Sequence, residues 1–455
     1  MVSVVVCSAI VAVGLLGGCT KKNPEFCEQD SDCELPGRPF CDVAGDFPES
    51  DHTPHRCTTI PNDCPLERCG CTPGESLACD ADQLTVCGED GFSTATLTCG
   101  LGCSTEDRCL TFDPSNGLGP ALVSAAAEPD LVLPAAVTID TDLGTIVDSS
   151  NMPVAVRTLV VEQEGGSKVR AFLARSIVLN DAIVRGSASL AIVAPGTIAV
   201  RGRLDASATE RQGGPGTQES PAACVGAESK EFMAGGVPAA VGAGGGGNAT
   251  GGGKGGGWGG PSSNDGGAPT PGFVPLVGGC RGGVLLNQDR TTRSRGGGGG
   301  GAIQFVSLDT VAFSIAGFVD VGAGGGEASA GGGSGGTIVI EAPRVRFDGA
   351  ATGIAANGGA GGGCDMIGVD ATSTTAAAVA PKCGTYSAGD GGTGVMSAAD
   401  GDYSCPQPPC PVSGTKGAGG GAAGRASIVT LDGTFEQIGN PVMSVAISAS
   451  TLVVH

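Results

Sequence analysis

Short runs of alternating apolar and polar residues, arriving in twos and threes and parted by glycine, constrain this chain more than any other feature. Residues 189–207, residues 301–313 with their continuation 314–322, and residues 336–349 follow one plan. A strand-like segment rich in Val, Ile and Phe meets a corner, a second such segment follows, and glycine and often a third short apolar piece close the unit. Weaker copies stand at 158–162, 171–179 and 426–431. Alternation over four to six residues is the period of a half-buried strand, and Gly, Pro or Asp at the corners supplies turn conformations. Strands in groups with no helical pattern between them predict a coil whose turns stack in parallel, a right-handed parallel β-helix-like repeat body. A β-sandwich would also show alternating strands, but its strands do not resemble one another in this way. Eight to ten rungs at ~4.8 Å each would make a rod of roughly 40–50 Å.

Glycine blocks interrupt the units at 244–260, 296–301, 322–336, 358–363 and 417–421. They follow matching strands, which predicts segments leaving one side of the coil. Glycine runs bury no side chains and lose much entropy on ordering, so the plain expectation is flexible loops. The alternative is polyproline-II-like strands packed beside the rod, where only glycine lets backbones approach closely.

The chain has 20 cysteines and a formal charge of −21. Such acidity argues against nucleic acid and against an anionic membrane face as partners, since both select basic surfaces. From Cys27 to Cys109 the sequence is cysteine-dense and poor in large apolar residues, so cross-links must supply what a core does not. Cys27, Cys33, Cys41 and Cys57 form one group; Cys64, Cys69, Cys71, Cys79, Cys87, Cys99, Cys103 and Cys109 form a second. Their pairing is not deducible from spacing. Zinc is the competing reading of Cys64, Cys69 and Cys71, but the spacing lacks the repeated pairs of structural zinc sites. Asp30, Asp32 and Asp42 lack the glycine and closing glutamate of a calcium loop. Further on, Cys224 and Cys280 bracket the largest glycine insertion, where a bond would tie it off. Cys364, Cys383, Cys405 and Cys410 are candidates to do the same for the last one.

An uncharged apolar stretch at the N-terminus ends in Leu16-Gly17-Gly18-Cys19. This resembles the lipobox of bacterial lipoprotein signal peptides, although no Lys or Arg precedes it. The resemblance implies cleavage before Cys19, acylation of that cysteine, and attachment to membrane lipid through the acyl chains. Thr20 in place of the usual inner-membrane retention aspartate implies the outer membrane. An ordinary cleaved signal and an uncleaved anchor are the alternatives. The Cys27–Cys33 stretch, and the run from Cys71 through Cys109 to Gly117, are similar to small disulfide modules of exported lipoproteins from myxobacterial-type bacteria. The expected organisation is a signal peptide over 1–18, the lipid site and first module over 19–60, and a second module over 61–117. A linker over 118–129, Ala-rich with room for one short helix, would then lead to the glycine-rich β-helix-like domain over 130–455.

The case for catalysis is thin. His52, His55 and His455 are the three histidines, and the first two form a His-x-x-His pair with no evident third ligand. Gly332 to Gly336 fits G-x-S-x-G formally at Ser334, but glycine surrounds it where a nucleophile elbow needs a strand and a helix. Lys254 fails the phosphate-loop pattern because Gly255 stands where Ser or Thr is needed. Asp205, Asp309, Asp320 and Asp348 sit near corners, where Asp is first a turn former. Arg344, Arg346 and Asp348 alternate, so they share the outer face of one strand if Val345 and Phe347 are core; they are the candidates for glycan contact. Trp258 stands alone among glycines. The expectation is a surface lipoprotein with a structural or adhesive role, no cofactor and no catalysis, meeting extracellular glycan or matrix. The alternative is a polysaccharide-active β-helix enzyme, a lyase or glycosidase. Carboxylates converging with Arg in a groove would favour the enzyme; outer faces of Thr, Ser and Ala would favour the scaffold.

Overall fold

A computed structural model describes residues 28, 33, 40–42, 55–58, 74–80, 82–88, 93–104, 107–218, 223–234, 237–257, 264–270, 272–363, 365–383, 386–394, 396–402 and 414–455. Cys19, Cys27, Cys64, Cys69, Cys71, Cys364, Cys405, Cys410, His52 and Trp258 lie outside these residues. The chain divides into two compact units, Met1–Thr98 with Thr105–Arg108, and Cys99–Ser104 with Cys109–His455.

Among its described residues the first unit shows disulfides and few buried apolar side chains. Phe40–Asp42 pairs antiparallel with Arg56–Thr58, placing Cys41 opposite Cys57, and both cysteines are buried. Cys33 is bonded to Cys57; Cys41, Cys79 and Cys87 are also engaged in disulfides. A three-stranded antiparallel sheet of Ser76–Asp80, Gln83–Cys87 and Thr94–Thr98 leaves Leu77 and Leu97 in solvent and buries Leu84. Covalent closure is the expected remedy where the described residues bury so little apolar surface.

The second unit is mainly β, built on three parallel sheets that the chain visits in rotation. The first sheet contains, in spatial order, Lys168–Leu173, Ser189–Ala194, Ala302–Ser307, Thr337–Glu341, Arg425–Thr430 and Ala446–Thr451. The second contains Leu131–Val132, Ile177–Leu179, Ile198–Val200, Thr310–Ser314, Arg344–Asp348 and Glu436–Ile438. Val137–Asp140, Ala182–Arg185, Arg203–Asp205, Phe318–Asp320, Gly353–Ala355 and Val442–Met443 make the third. From Lys168 to Met443 each passage takes one strand from each sheet and returns to the first.

Alternation explains the interior. In the second sheet Val345 and Phe347 are buried while Arg344 and Arg346 point outward. Register sets Val311 beside Val345 and Phe313 beside Phe347, and these two rings stack at 4.3 Å with 14° between planes. Leu190, Ile303 and Ile338 continue the same pattern in the first sheet. The first sheet is buried on its outer face too. There the helix Gly119–Ala125 presses Leu118, Ala121, Leu122 and Ala125 against Val169, Ala171, Ala191 and Val193. The segment expected as a linker is thus packed, and Cys99–Ser104 with Cys109 onward belongs to this unit. Cys99 is bonded to Cys109, and Cys103 is disulfide-bonded as well.

Two expectations about the repeats fail. Among the described residues the longest parallel run has six strands, short of eight to ten rungs, because the described parts of the long insertions 206–301 and 356–424 add no rung. Residues 158–162, read as a weak copy, lie in the strand Arg157–Glu162, which runs antiparallel to Lys168–Leu173. It closes that edge of the first sheet and shields otherwise open backbone groups.

The expectation of flexible glycine loops is overturned as well. All the glycine blocks leave the coil at one corner, between the third sheet and the next strand of the first. Among the described residues, 244–247, 255–257, 296–301, 322–326, 331–336, 358–363 and 417–421 are buried, and many of them are bonded backbone to backbone. The Gly331 N–H donates to the Gly283 carbonyl (2.9 Å), Gly283 to Gly244 (2.8 Å), Gly253 to Gly420 (2.8 Å), Gly421 to Gly359 (2.9 Å), and Gly359 to Gly333 (2.9 Å). None of these glycines has a left-handed φ. These described residues are neither helix nor strand, and their backbone groups bond outward to several neighbouring segments, as buried backbone polar groups must. A Cβ on Gly331 would overlap the Gly244 carbonyl oxygen. The Asn248 amide plugs the bundle by donating to Gly335 O (2.6 Å) and Gly336 O (3.2 Å). Cys224 and Cys280 are bonded across it.

Candidate functional site

Two groups of charged side chains stand on the outer faces of the coil. The first is the one alternation pointed to. Arg344 and Arg346 project from the second sheet because Val345 and Phe347 take the inner positions. The Arg344 guanidinium bonds Asp309 Oδ1 at 2.5 Å and Thr310 Oγ1 at 3.1 Å, both one strand away. Arg346 bonds Asp348 Oδ2 at 2.8 Å and faces Glu436 Oε2 at 3.6 Å on the next strand. Burial acts to raise the Asp309 carboxyl, but hydrogen bonds from Thr197, Thr310 and Arg344 outweigh it and hold the group below the usual carboxylate range. A shallow cleft of about 350 Å³ opens beside the arginines, lined by Thr310, Pro343, Asp432, Thr434 and Phe435 among others. Arg344, Arg346, Asp348 and Glu436 keep much of their side chains in solvent. Such exposed pairs contribute little stability and leave the guanidinium edges open to a hydroxylated or anionic surface.

The second group was missed. Arg203–Asp205 and Phe318–Asp320 are neighbours in the third sheet, and register places Asp205 directly beside Asp320. Arg203 binds both: its guanidinium is hydrogen-bonded to Asp320 Oδ2, its Nε lies 3.6 Å from Asp205 Oδ2, and its far nitrogen reaches Ser373 Oγ at 3.3 Å. The backbone N–H of Arg203 donates to Asp181 Oδ1 (2.8 Å). Burial pushes the Asp320 carboxyl up to about 6, against Arg203 and the Gly322 N–H, which lower it, while Asp205 adds a smaller upward push. The signal was present in the sequence, as both aspartates end the third segment of their repeat units. The long insertion between those units hid their adjacency.

Asp205 and Asp320 are also turn formers, as their corner positions suggest. Asp205 Oδ1 accepts from Ser207 N (3.0 Å) and Asp320 Oδ1 from Gly322 N (2.9 Å). Each is an Asx turn where the third strand ends. Carboxylates and an arginine therefore converge, but the Asp320 side chain is only 4% exposed and its oxygens are engaged.

The remaining candidates for chemistry are structural. Ser334 is fully buried in the glycine bundle; its hydroxyl accepts from Cys280 N (2.7 Å) and donates to Gly247 O (3.0 Å). His455 stands exposed, 4.0 Å from Asp113. A buried polar cluster lies on the outer face of the first sheet. Glu341 accepts from Ser115 N (3.1 Å) and Gln304 Nε2 (2.7 Å), and Asn116 Nδ2 donates to Gln304 Oε1 (2.9 Å). Burial raises the Glu341 carboxyl. These bonds pin the segment before the helix Gly119–Ala125 to the sheet.

The body is thus a mainly β protein of parallel and mixed sheets with a backbone-bonded glycine flank and disulfides. No protein-family model, curated protein or solved structure matches the chain.

Proposed function

We propose that this is an exported outer-membrane lipoprotein of the cell surface, anchored to membrane lipid through acylated Cys19, with a structural or adhesive role rather than a catalytic one. On this reading the three-sheet rotation is a right-handed parallel β-helix, the hand favoured for parallel crossover connections. The N-terminal cysteine-rich modules are, on this reading, the disulfide modules of exported lipoproteins of myxobacterial-type bacteria. The observation that carries the reading is a stiff body presenting its charges outward. The coil has an apolar interior, its glycine flank is stitched by backbone bonds, and the Arg344, Arg346 and Asp348 face remains open to solvent. Arginine and carboxylate edges on a rigid sheet suit repeated weak contacts with extracellular glycan or matrix. Disulfides suit an oxidising compartment.

Two measurements test this. Intact mass of membrane-extracted protein, before and after reduction and alkylation, is expected to begin at Cys19 with added acyl chains and to reveal thiols only after reduction. An unmodified Met1, or thiols that alkylate without reductant, would overturn the address. Retention of the purified chain on immobilised polysaccharide is expected to fall severalfold when Arg344→Ala and Arg346→Ala are combined. Unchanged retention would remove that face from the reading.

The second reading, a polysaccharide-active enzyme, is favoured by the adjacent carboxylates Asp205 and Asp320 with Arg203. It requires Asp320 to become accessible. Release of reducing or unsaturated ends from a polysaccharide, abolished by Asp205→Asn, would establish it in place of the first.

A further inference from the structure

We infer that the outer face of the third sheet holds a binding site for a single sugar ring, neutral or amino-substituted, separate from the Arg344 and Arg346 face. A cleft of about 280 Å³ is lined by Ala136, Val137, Thr138, Asp181, Ala182, Ile183, Arg203 and Asp205. Its chemistry is two-sided. Ile183 projects outward from Ala182–Arg185 and is 47% exposed, an apolar platform on a surface where its neighbour Arg185 is charged. Beside it, with Asp205 its direct neighbour on the next strand and Asp181 two residues earlier in the chain, stand two carboxylates, each half used. Asp181 gives Oδ1 to the Arg203 N–H (2.8 Å), and its Oδ2 accepts no hydrogen bond from a described residue. Asp205 gives Oδ1 to Ser207 (3.0 Å from N, 2.5 Å from Oγ), and its Oδ2 meets only Arg203 Nε at 3.6 Å. The Thr138 hydroxyl likewise has no hydrogen bond among the described residues.

Each carboxylate is oriented by one oxygen and offers the other. Two such oxygens beside an apolar platform match a pyranose, which presents adjacent hydroxyl donors on its edge and C–H groups on its face. Arg203 is held from beneath by Asp320 and Ser373, so the wall is fixed before a ligand arrives. Three carboxylates, Asp181, Asp205 and Asp320, stand around Arg203 with its single guanidinium, which leaves the rim negative. A uronate or phosphorylated sugar is repelled, whereas a neutral or amino sugar is accepted. A divalent cation fits poorly: it seeks six or more oxygens and would sit next to the Arg203 guanidinium. The cleft has room for one ring, so the site reads a chain end or a side branch.

The inference uses only the described body and stands whether or not Cys19 is acylated. The test is a methyl and amide NMR titration of the full chain with glucose, galactose, mannose, N-acetylglucosamine, glucosamine and glucuronate. At least one neutral sugar, and glucosamine, are expected to shift the Ile183 methyl and the Arg203 amide, with no response to glucuronate. Combining Asp181→Asn with Asp205→Asn is expected to weaken binding about tenfold or more, as charge-assisted hydrogen bonds are lost. Ile183→Ala, at an exposed position, is expected to do the same with an unchanged melting temperature. Arg346→Ala is expected to leave the titration unchanged, which separates this site from the other face. Absence of shifts with every sugar, shifts that survive both carboxylate substitutions, or the same shifts produced by calcium chloride alone would each overturn the inference.

Discussion

The coil and the glycine bundle exclude water from their backbones with opposite materials. In the coil, strands pair backbone to backbone in one direction and fill the interior with side chains: Phe313 on Phe347, Ile303 on Ile338. In the bundle there is no interior to fill. Gly283, Gly331, Gly333, Gly359 and Gly421 bond sideways to segments around them, and the absence of side chains is what permits the approach. The two regions therefore respond oppositely to atoms gained and lost. A side-chain-packed core suffers from cavities, whereas a backbone-packed one suffers from any added carbon. The coil draws on the hydrophobic effect; the bundle draws on hydrogen-bond saturation and close contact, with little apolar area to bury.

The largest effect that could break this contrast is in the coil. Phe347→Ala is expected to cost about 3–5 kcal/mol by cavity formation, read as a urea-midpoint shift at constant slope. A loss under 1 kcal/mol would mean that the stacked ring does not organise the interior. Next comes a single carbon added to the bundle. Gly331→Ala, whose Cβ would overlap the Gly244 carbonyl, is expected to cost about 3 kcal/mol, the upper end for overpacking. If denaturant shows it to be neutral, the bundle is not close-packed.

Asp320 sits at the seam, its carboxylate bonded to Arg203 of the coil and to Gly322 where a glycine block begins. Its folded-state pKa is raised to about 6, mainly by burial. A raised acid favours the protonated folded state, so its contribution is fully present only below the ordinary value of 3.8 and is lost as pH rises from there through about 6. The expected loss is on the order of 1–3 kcal/mol, visible as a falling melting temperature across that window. Asp320→Asn should flatten the profile; an unchanged slope would assign the titration elsewhere.

The smallest effect sharpens the contrast from within the bundle. Gly251 has only Gly267 O in reach of a Cβ, at 3.6 Å, and no left-handed φ. Gly251→Ala should be neutral or stabilise by about 0.5 kcal/mol through the unfolded chain. A loss as large as that of Gly331→Ala would show that glycine is needed there for reasons other than close approach.

What could be read from the sequence follows the same division. Where side chains alternate, residue by residue reading succeeded: Val345 and Phe347 inward, Arg344 and Arg346 outward. Alternation carries no direction, however, so Arg157–Glu162 looked like another parallel unit although it closes the sheet antiparallel. Register across a long insertion is equally silent, which is why Asp205 and Asp320 looked isolated and Arg203 was overlooked. The short helix expected within 118–129 stands at Gly119–Ala125, but seven residues opening on Gly-Pro are too few for a periodic signal of the face that packs. The glycine blocks have no side-chain pattern at all. Their order rests on backbone groups that every residue shares, so composition alone reads them as linkers.

The bonded glycine flank has a consequence for anyone judging this protein by its spectrum. Its described residues outside the short strands carry the repeating geometry of neither helix nor sheet. Far-ultraviolet circular dichroism would therefore register these residues as unordered. Amide hydrogen exchange would give the opposite answer, because the N–H groups of Gly283, Gly331 and Gly359 are each buried and bonded to a distant carbonyl. A preparation that looks half unfolded by one method and slow-exchanging by the other would be the native protein.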